Sequence, residues 1–233
     1  MEPVNSNSPG KMDSPPSKVK AGSSADATSV AKSARKSKKR NIALASIKPV
    51  FFLAALLPLG LLVLSVFTGT AGPNPIEVIE EVTGEWALRF LLLTLCATPL
   101  TRWFKWLWPA RLRRMIGLFS FFYATLHLLV YVWLNHNWVL RDILYEIVEK
   151  PFITAGFLGF VILIPLAVTS NKASVKALGI RWRGLHQWVY FAALLGVLHY
   201  VWLAKGDRLE PIVYLVILVF LLMVRLPKVF RQR

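Results

Sequence analysis

From residue 47 onward the chain is organised as long apolar runs separated by short polar connections. The runs are Pro49 to Phe67, Trp86 to Thr101, Met115 to Leu134, Phe152 to Thr169, Leu185 to Ala204 and Pro211 to Leu226. Each comes near the roughly 20 residues that a helix needs to cross a hydrocarbon core of about 30 Å. The second and sixth are short, and Glu85, Arg102 and Arg225 at their ends can snorkel to the interface. Pro58, Pro99 and Pro165 fall within or near the ends of runs, where neighbouring helices re-satisfy the freed carbonyls. The pattern predicts an all-α membrane protein, a six-transmembrane-helix bundle over residues 45–233. Residues 1–44 are rich in Ser, Lys, Ala and Pro and nearly devoid of large apolar side chains. They cannot bury enough surface to offset the entropy of ordering, so they are predicted to be a disordered basic cytoplasmic tail. The basic cluster Lys32 to Arg40 follows a long polar stretch, which is not the layout of a secretory signal peptide.

Composition agrees with this class. A hydrophobic fraction of 55% and a mean hydropathy of +0.52 over 233 residues exceed what a water-soluble core needs. Charge then sets the orientation. Of 28 basic residues, 23 lie in the segment up to Lys48, from Arg102 to Arg114, from Lys172 to Arg183 and from Arg225 to Arg233, all on alternate connections. Nine of the twelve acids lie on the other three, as Glu77, Glu80, Glu81, Glu85, Asp142, Glu146, Glu149, Asp207 and Glu210. The positive-inside rule therefore predicts that both termini are cytoplasmic. The same distribution argues against nucleic-acid binding, despite a net charge of +16, because the charge sits at membrane boundaries where anionic lipid and topology account for it.

The single cysteine, Cys96, excludes an internal disulfide framework and any site built from several thiolates, and it reads as a packing residue. The histidines carry more information. His127 lies in the third run and His186 and His199 in the fifth, while His136 follows the third as a loop residue. Titratable side chains at membrane depth are costly and are by default functional candidates. His127 is thirteen residues beyond Arg114, about 20 Å of helix, and His199 is sixteen beyond Arg183, about 24 Å. Two imidazoles at matching depth on neighbouring helices can supply both axial ligands of one haem iron. Gly117, Ser120 and Ala124 near His127, and Ala192 and Gly196 on the face of His199, would leave room for a flat macrocycle. His186 stands about 20 Å nearer the cytoplasm. It is a candidate ligand of a second, inner haem, or a contact for a flavin, a quinone or a haem propionate. Arg89, the basic residue inside a run, is expected to pair with a propionate of the outer haem or to snorkel.

Short strings in order along the six runs carry a resemblance. They are Thr83-Gly84 with Leu88-Arg89-Phe90, Thr98-Pro99-Leu100, Arg113 to Leu118, Ala124 to His127, Leu166 to Ser170, and Trp182 to His186 followed by His199-Tyr200. Over about residues 73–226 the chain resembles the MsrQ family, haem-binding membrane subunits of a bacterial methionine sulfoxide reductase system. That family belongs to the ferric reductase-like transmembrane group, which includes the NADPH oxidases. The resemblance implies one or two b-type haems, with His127, His199 and His186 as metal-binding residues and Arg89 beside them. It implies a cell inner membrane subunit that carries electrons and is not itself the catalytic subunit. The implied donor is the quinone pool or a cytoplasmic flavin reductase. The implied acceptor is MsrP, a periplasmic molybdenum enzyme that repairs oxidised proteins. FMN enters through the resemblance alone, since no G-x-G-x-x-G is present. Rival expectations are a metalloreductase or oxidase acting on iron or oxygen, and a non-redox transporter, although no internal repeat favours the latter.

Overall fold

The computed structural model describes residues 23–104, 108–204 and 209–224, and within these the regular structure is helical. The helices are α1 (Ser23–Phe67), α2 (Pro75–Trp103), α3 (Trp108–Val130), α4 (Leu140–Glu149), α5 (Pro151–Val168), α6 (Lys172–Leu178), α7 (Ile180–Gln187), α8 (Val189–Leu203) and α9 (Leu209–Met223). The chain divides into two units, Met1–Ile47 and Lys48–Arg233. In the first, the tail expected over residues 1–44 falls partly on residues 1–22, which lie outside the described residues. From Ser23 that unit is helical, in a stretch rich in Ala, Lys and Arg, which have high helix propensity. The basic residues beyond Val224 and the connection 205–208 with Asp207 also lie outside the described residues.

In the second unit, local sequence accounts for where helices start and stop. Asn74 caps α2, its side chain accepting from the Glu77 backbone N–H, with Pro75 at the first helical position. Pro151 starts α5 in the same way, and Asn171 caps α6 through Ser174. After Val130 the third run widens into a π-turn, Tyr131–Asn135, and the chain reverses through Asn137 and Trp138, both at positive φ. Non-glycine residues rarely adopt that conformation, so this turn carries backbone strain, above all at Trp138.

Among the described residues, three helical stretches are long and apolar enough to cross a membrane: Ile47–Phe67, Leu112–Asn135 and Pro151–Val168. Leu209–Met223 is a shorter apolar helix of 15 residues. The fifth run is not one helix. A turn at Trp188 divides it into α7 and α8, so His186 and His199 occupy different helical segments and their relative rotation does not follow from one continuous spiral.

α2 packs most extensively on α3, and α5 on α8. One apolar cluster joins Leu88, Leu91, Leu92 and Leu95 of α2 to Leu163 and Leu166 of α5, Ala192, Ala193 and Val197 of α8, and Tyr214, Leu218 and Leu221 of α9. A second joins Ala55 to Phe90, Leu112, Ile116, Phe119 and Tyr123, and the Tyr123 hydroxyl donates to the Ala55 carbonyl at 2.8 Å. Large apolar side chains such as Leu53, Leu57, Leu61, Val216 and Phe220 face outward. In lipid such residues cost nothing, and helix association rests on close packing and interhelical hydrogen bonds. Ser120, buried in α3, supplies one such bond to the Ala87 carbonyl at 2.9 Å.

Candidate metal centre

α3 and α8 bring the imidazoles of His127 and His199 together, with ring centroids 6.2 Å apart and planes inclined at 76°. Each ring is fixed from behind in the same manner. The Nδ1 of His127 donates to the Glu80 carbonyl of α2 at 2.9 Å, and the Nδ1 of His199 donates to the Phe152 carbonyl of α5 at 2.6 Å. A carbonyl oxygen only accepts, so in the neutral rings the hydrogen sits on Nδ1 and each Nε2 keeps its lone pair. Four residues after each carbonyl stands a glycine on which the ring lies. A Cβ at Gly84 would come within 3.0 Å of the His127 ring, and one at Gly156 within 2.9 Å of Nδ1 of His199. Two helices thus present one device twice, a carbonyl that orients an imidazole and a missing side chain that lets it approach.

This arrangement suits a metal held between two Nε2 atoms. At metal–nitrogen distances of about 2.0–2.1 Å, imidazoles on opposite sides of one ion have centroids roughly 6 Å apart. The carbonyl partners are the outer-shell contacts that fix tautomer and orientation in histidine–metal sites. Among the described residues no group of three or more His, Cys, Asp or Glu side chains could hold a metal. A two-histidine site fits an iron whose other four donors come from a porphyrin.

Four of the small residues expected to make room for a macrocycle pack between helices. Gly117 faces Thr94 of α2, Ser120 bonds the Ala87 carbonyl, Gly196 lies against Leu88, and Ala192 lies against Gly159 of α5. They bring helices close. The glycines that touch the histidines, Gly84 and Gly156, were not legible from spacing, because the contact crosses from one helix to another.

His186 is not brought to this pair. Its ring stacks on Trp182 at 4.0 Å, and its Nε2 lies 3.0 Å from the Thr169 hydroxyl. That hydroxyl spends its hydrogen on the Pro165 carbonyl at 2.6 Å, so Nε2 of His186 is the donor, the reverse of the tautomer at His127 and His199. His186 borders a cavity of about 480 Å³ lined also by Arg113, Arg114, Arg183, Trp182 and Tyr190. The cavity lies among α2, α3, α5, α7 and α8 and combines apolar walls with cationic side chains, a common make-up for a cofactor or ligand site.

Arg89 meets protein carboxylates. Its guanidinium donates to Glu85 at 2.7 Å and to Glu210 at 3.3 Å, its Nε donates to the Tyr214 hydroxyl at 2.7 Å, and it lies over the Trp86 ring. Glu85 and Glu210 supply counter-charge to the guanidinium. Glu85 also accepts from Tyr200, the residue after His199, at 3.2 Å. His136 contacts Glu146 at 3.3 Å and packs edge-on to Tyr131, outside the histidine pair.

Comparison with known proteins places the chain. Residues 83–197 match the ferric reductase like transmembrane component, a stretch that includes Gly84, Arg89, His127, Gly156 and His186 and ends two residues before His199. The protein-methionine-sulfoxide reductase heme-binding subunit MsrQ of Herminiimonas arsenicoxydans is 48% identical over 190 residues, covering 80% of this chain and 87% of its own. The protein of the same name from Azospira oryzae is 45% identical, covering 77% of this chain and 78% of its own, and that from Rhodospirillum rubrum is 46% identical, covering 78% and 88%. At that identity and coverage, and with the ferric reductase like match over its central helices, the chain belongs to the MsrQ family.

Proposed function

We propose that this protein is a b-haem electron-transfer subunit of the bacterial inner membrane. It passes electrons from the quinone pool or a cytoplasmic flavin reductase to a periplasmic methionine sulfoxide reductase, MsrP, that repairs oxidised proteins. The observation that carries the proposal is the histidine pair, two imidazoles with centroids 6.2 Å apart and Nδ1 tied to carbonyls, which leaves the lone pair on Nε2. The names of the relatives, heme-binding subunits of a methionine sulfoxide reductase, supply the direction of the reading.

His127 and His199 would hold one haem between them. Bound there, the haem supplies a one-electron ferric–ferrous couple. The helices supply the ligands, hold their tautomer and exclude water. Six spans with both termini cytoplasmic put this pair in the outer half of the bilayer, near the acidic connections that a periplasmic partner would meet. His186 lies further in, on α7 before the turn at Trp188. The cavity it shares with Arg113, Arg114 and Arg183 would hold the group that receives electrons from the cytoplasmic side, a second haem, FMN or a quinol. Arg89 ties α2 to α9 beside the outer pair, and the tail contributes topology and lipid attraction through Lys32 to Arg40.

Vesicles test this reading, with a quinol or reduced flavin inside and the periplasmic reductase with a methionine sulfoxide substrate outside. The expected result is haem reduction followed by loss of the sulfoxide. Haem reduction without reductase turnover, together with rapid consumption of ferric chelate or oxygen, would instead establish a metalloreductase or oxidase.

A further inference from the structure

α4 lies between two long membrane-crossing candidates and is too short to cross. Its ten residues reach only about 15 Å. The stretch before it ends at Asn135 and α5 begins at Pro151, so both of its ends are tied to the same membrane face. At about 100° per residue, its side chains fall into distinct directions. Ile143 is buried, with Glu146, Ile147 and Lys150 half-buried beside it, and this side rests on the protein. Leu140, Leu144 and Val148, one turn apart in sequence, form an adjoining apolar stripe that is 65%, 54% and 86% exposed. Opposite the stripe stand Asp142 and Glu149, both exposed.

We propose that α4 lies flat in the outer leaflet interface, with Leu140, Leu144 and Val148 in lipid and Asp142 and Glu149 in water. The inference rests on the transmembrane reading given above and adds a lipid-binding surface to it. A helix with one apolar and one charged side, held parallel to the bilayer, is the form that binds an interface. Three features fix it in that attitude. The strained Asn137–Trp138 turn sets the direction in which α4 leaves the π-turn. Glu146 accepts from Lys150 at 2.5 Å and from Tyr131 at 3.0 Å, which holds the middle of α4 to the end of the third run. The Thr154 hydroxyl donates to the Ile147 carbonyl and ties the last turn to α5. Trp133 and Trp138, both exposed, flank the helix at the depth where indole rings favour the membrane boundary. A soluble acceptor approaching this face then meets the acidic side of α4 and not its apolar stripe.

Single cysteines for spin labelling, placed at 140, 144, 142 and 149 in a Cys96→Ser background and reconstituted in phosphatidylcholine vesicles, test the proposal. Labels at 140 and 144 should collide more with oxygen than with a water-soluble nickel chelate, and labels at 142 and 149 should show the reverse order. Equal nickel access at all four positions would overturn the proposal, as would labels at 140 and 144 shielded from both probes, which would mean protein covers the stripe. A label at Leu57, exposed on the apolar part of α1, separates the two levels of inference. Oxygen preference at 57 without it at 144 refutes the α4 proposal alone, whereas nickel access at 57 refutes the transmembrane reading beneath it.

Discussion

Replacing Gly156 by alanine should loosen haem without unfolding the protein. The new Cβ would stand 2.9 Å from Nδ1 of His199 and 3.1 Å from its Cε1 and Cγ. Ordinary non-bonded contact needs about 3.5 Å, so the ring must retreat by roughly half an ångström. That retreat stretches or breaks the bond from Nδ1 to the Phe152 carbonyl, now 2.6 Å. Loss of such an outer-shell partner typically costs about 10–100-fold in metal affinity. The intrinsic effect on the helix has the opposite sign, since alanine is more favourable than glycine in a helix by about 1 kcal/mol. Gly84→Ala should act alike through His127, with closest approaches of 3.0 Å. Gly159→Ala is the control, because its nearest neighbours stand at 3.6 Å. The assay is haem per protein from the pyridine haemochrome, together with the rate of haem transfer to apomyoglobin and the melting of the haem-free protein. The expected pattern is faster haem loss in Gly84→Ala and Gly156→Ala with undiminished melting temperature, and no faster loss in Gly159→Ala. Equal haem retention in all three variants would refute the reasoning.

Three further perturbations probe the surroundings. His186→Ala should slow reduction of the outer haem by the cytoplasmic donor while leaving that haem's own spectrum unchanged, as read by stopped-flow absorbance; a lost or altered spectrum would make His186 a ligand of it. Arg89→Leu should lower stability by on the order of 1 kcal/mol, discounted for the guanidinium's partial exposure, and leave the midpoint potential unchanged; a shifted potential would return Arg89 to a haem propionate. Lys150, ahead of Tyr131 and His136, holds the Glu146 carboxyl below the usual carboxylate range. Its folded value lies below its unfolded one, so its contribution is complete above the unfolded value and is lost as pH falls through the folded one. Proteolysis within residues 136–150 should therefore rise on acidification, and Glu146→Gln should show that susceptibility already at neutral pH.

Much of the helical layout was legible because apolar runs report helices directly. Counting residues from Arg114 and Arg183 put His127 and His199 at matching depth, and their rings do approach each other. What escaped was set by contacts between distant segments. The seats of the two histidines depend on Gly84 and Gly156, which no periodicity marks as special. Arg89 was legible as a cation inside an apolar run, but its partner Glu210 lies 121 residues away. α4 was hidden because a short amphipathic helix in a connection has no long apolar run, and its pattern emerges only when burial separates its side chains. The turn at Trp188 likewise interrupts a run whose hydrophobicity is continuous.

The central claim is that His127 and His199 hold one haem between them, and low-temperature electron paramagnetic resonance with visible absorption of the purified protein tests it most directly. The wild-type protein should show a low-spin ferric signal of bis-histidine type. That signal should disappear from both His127→Ala and His199→Ala and persist in His136→Ala. Retention of the full low-spin spectrum in either of the first two variants would contradict the account.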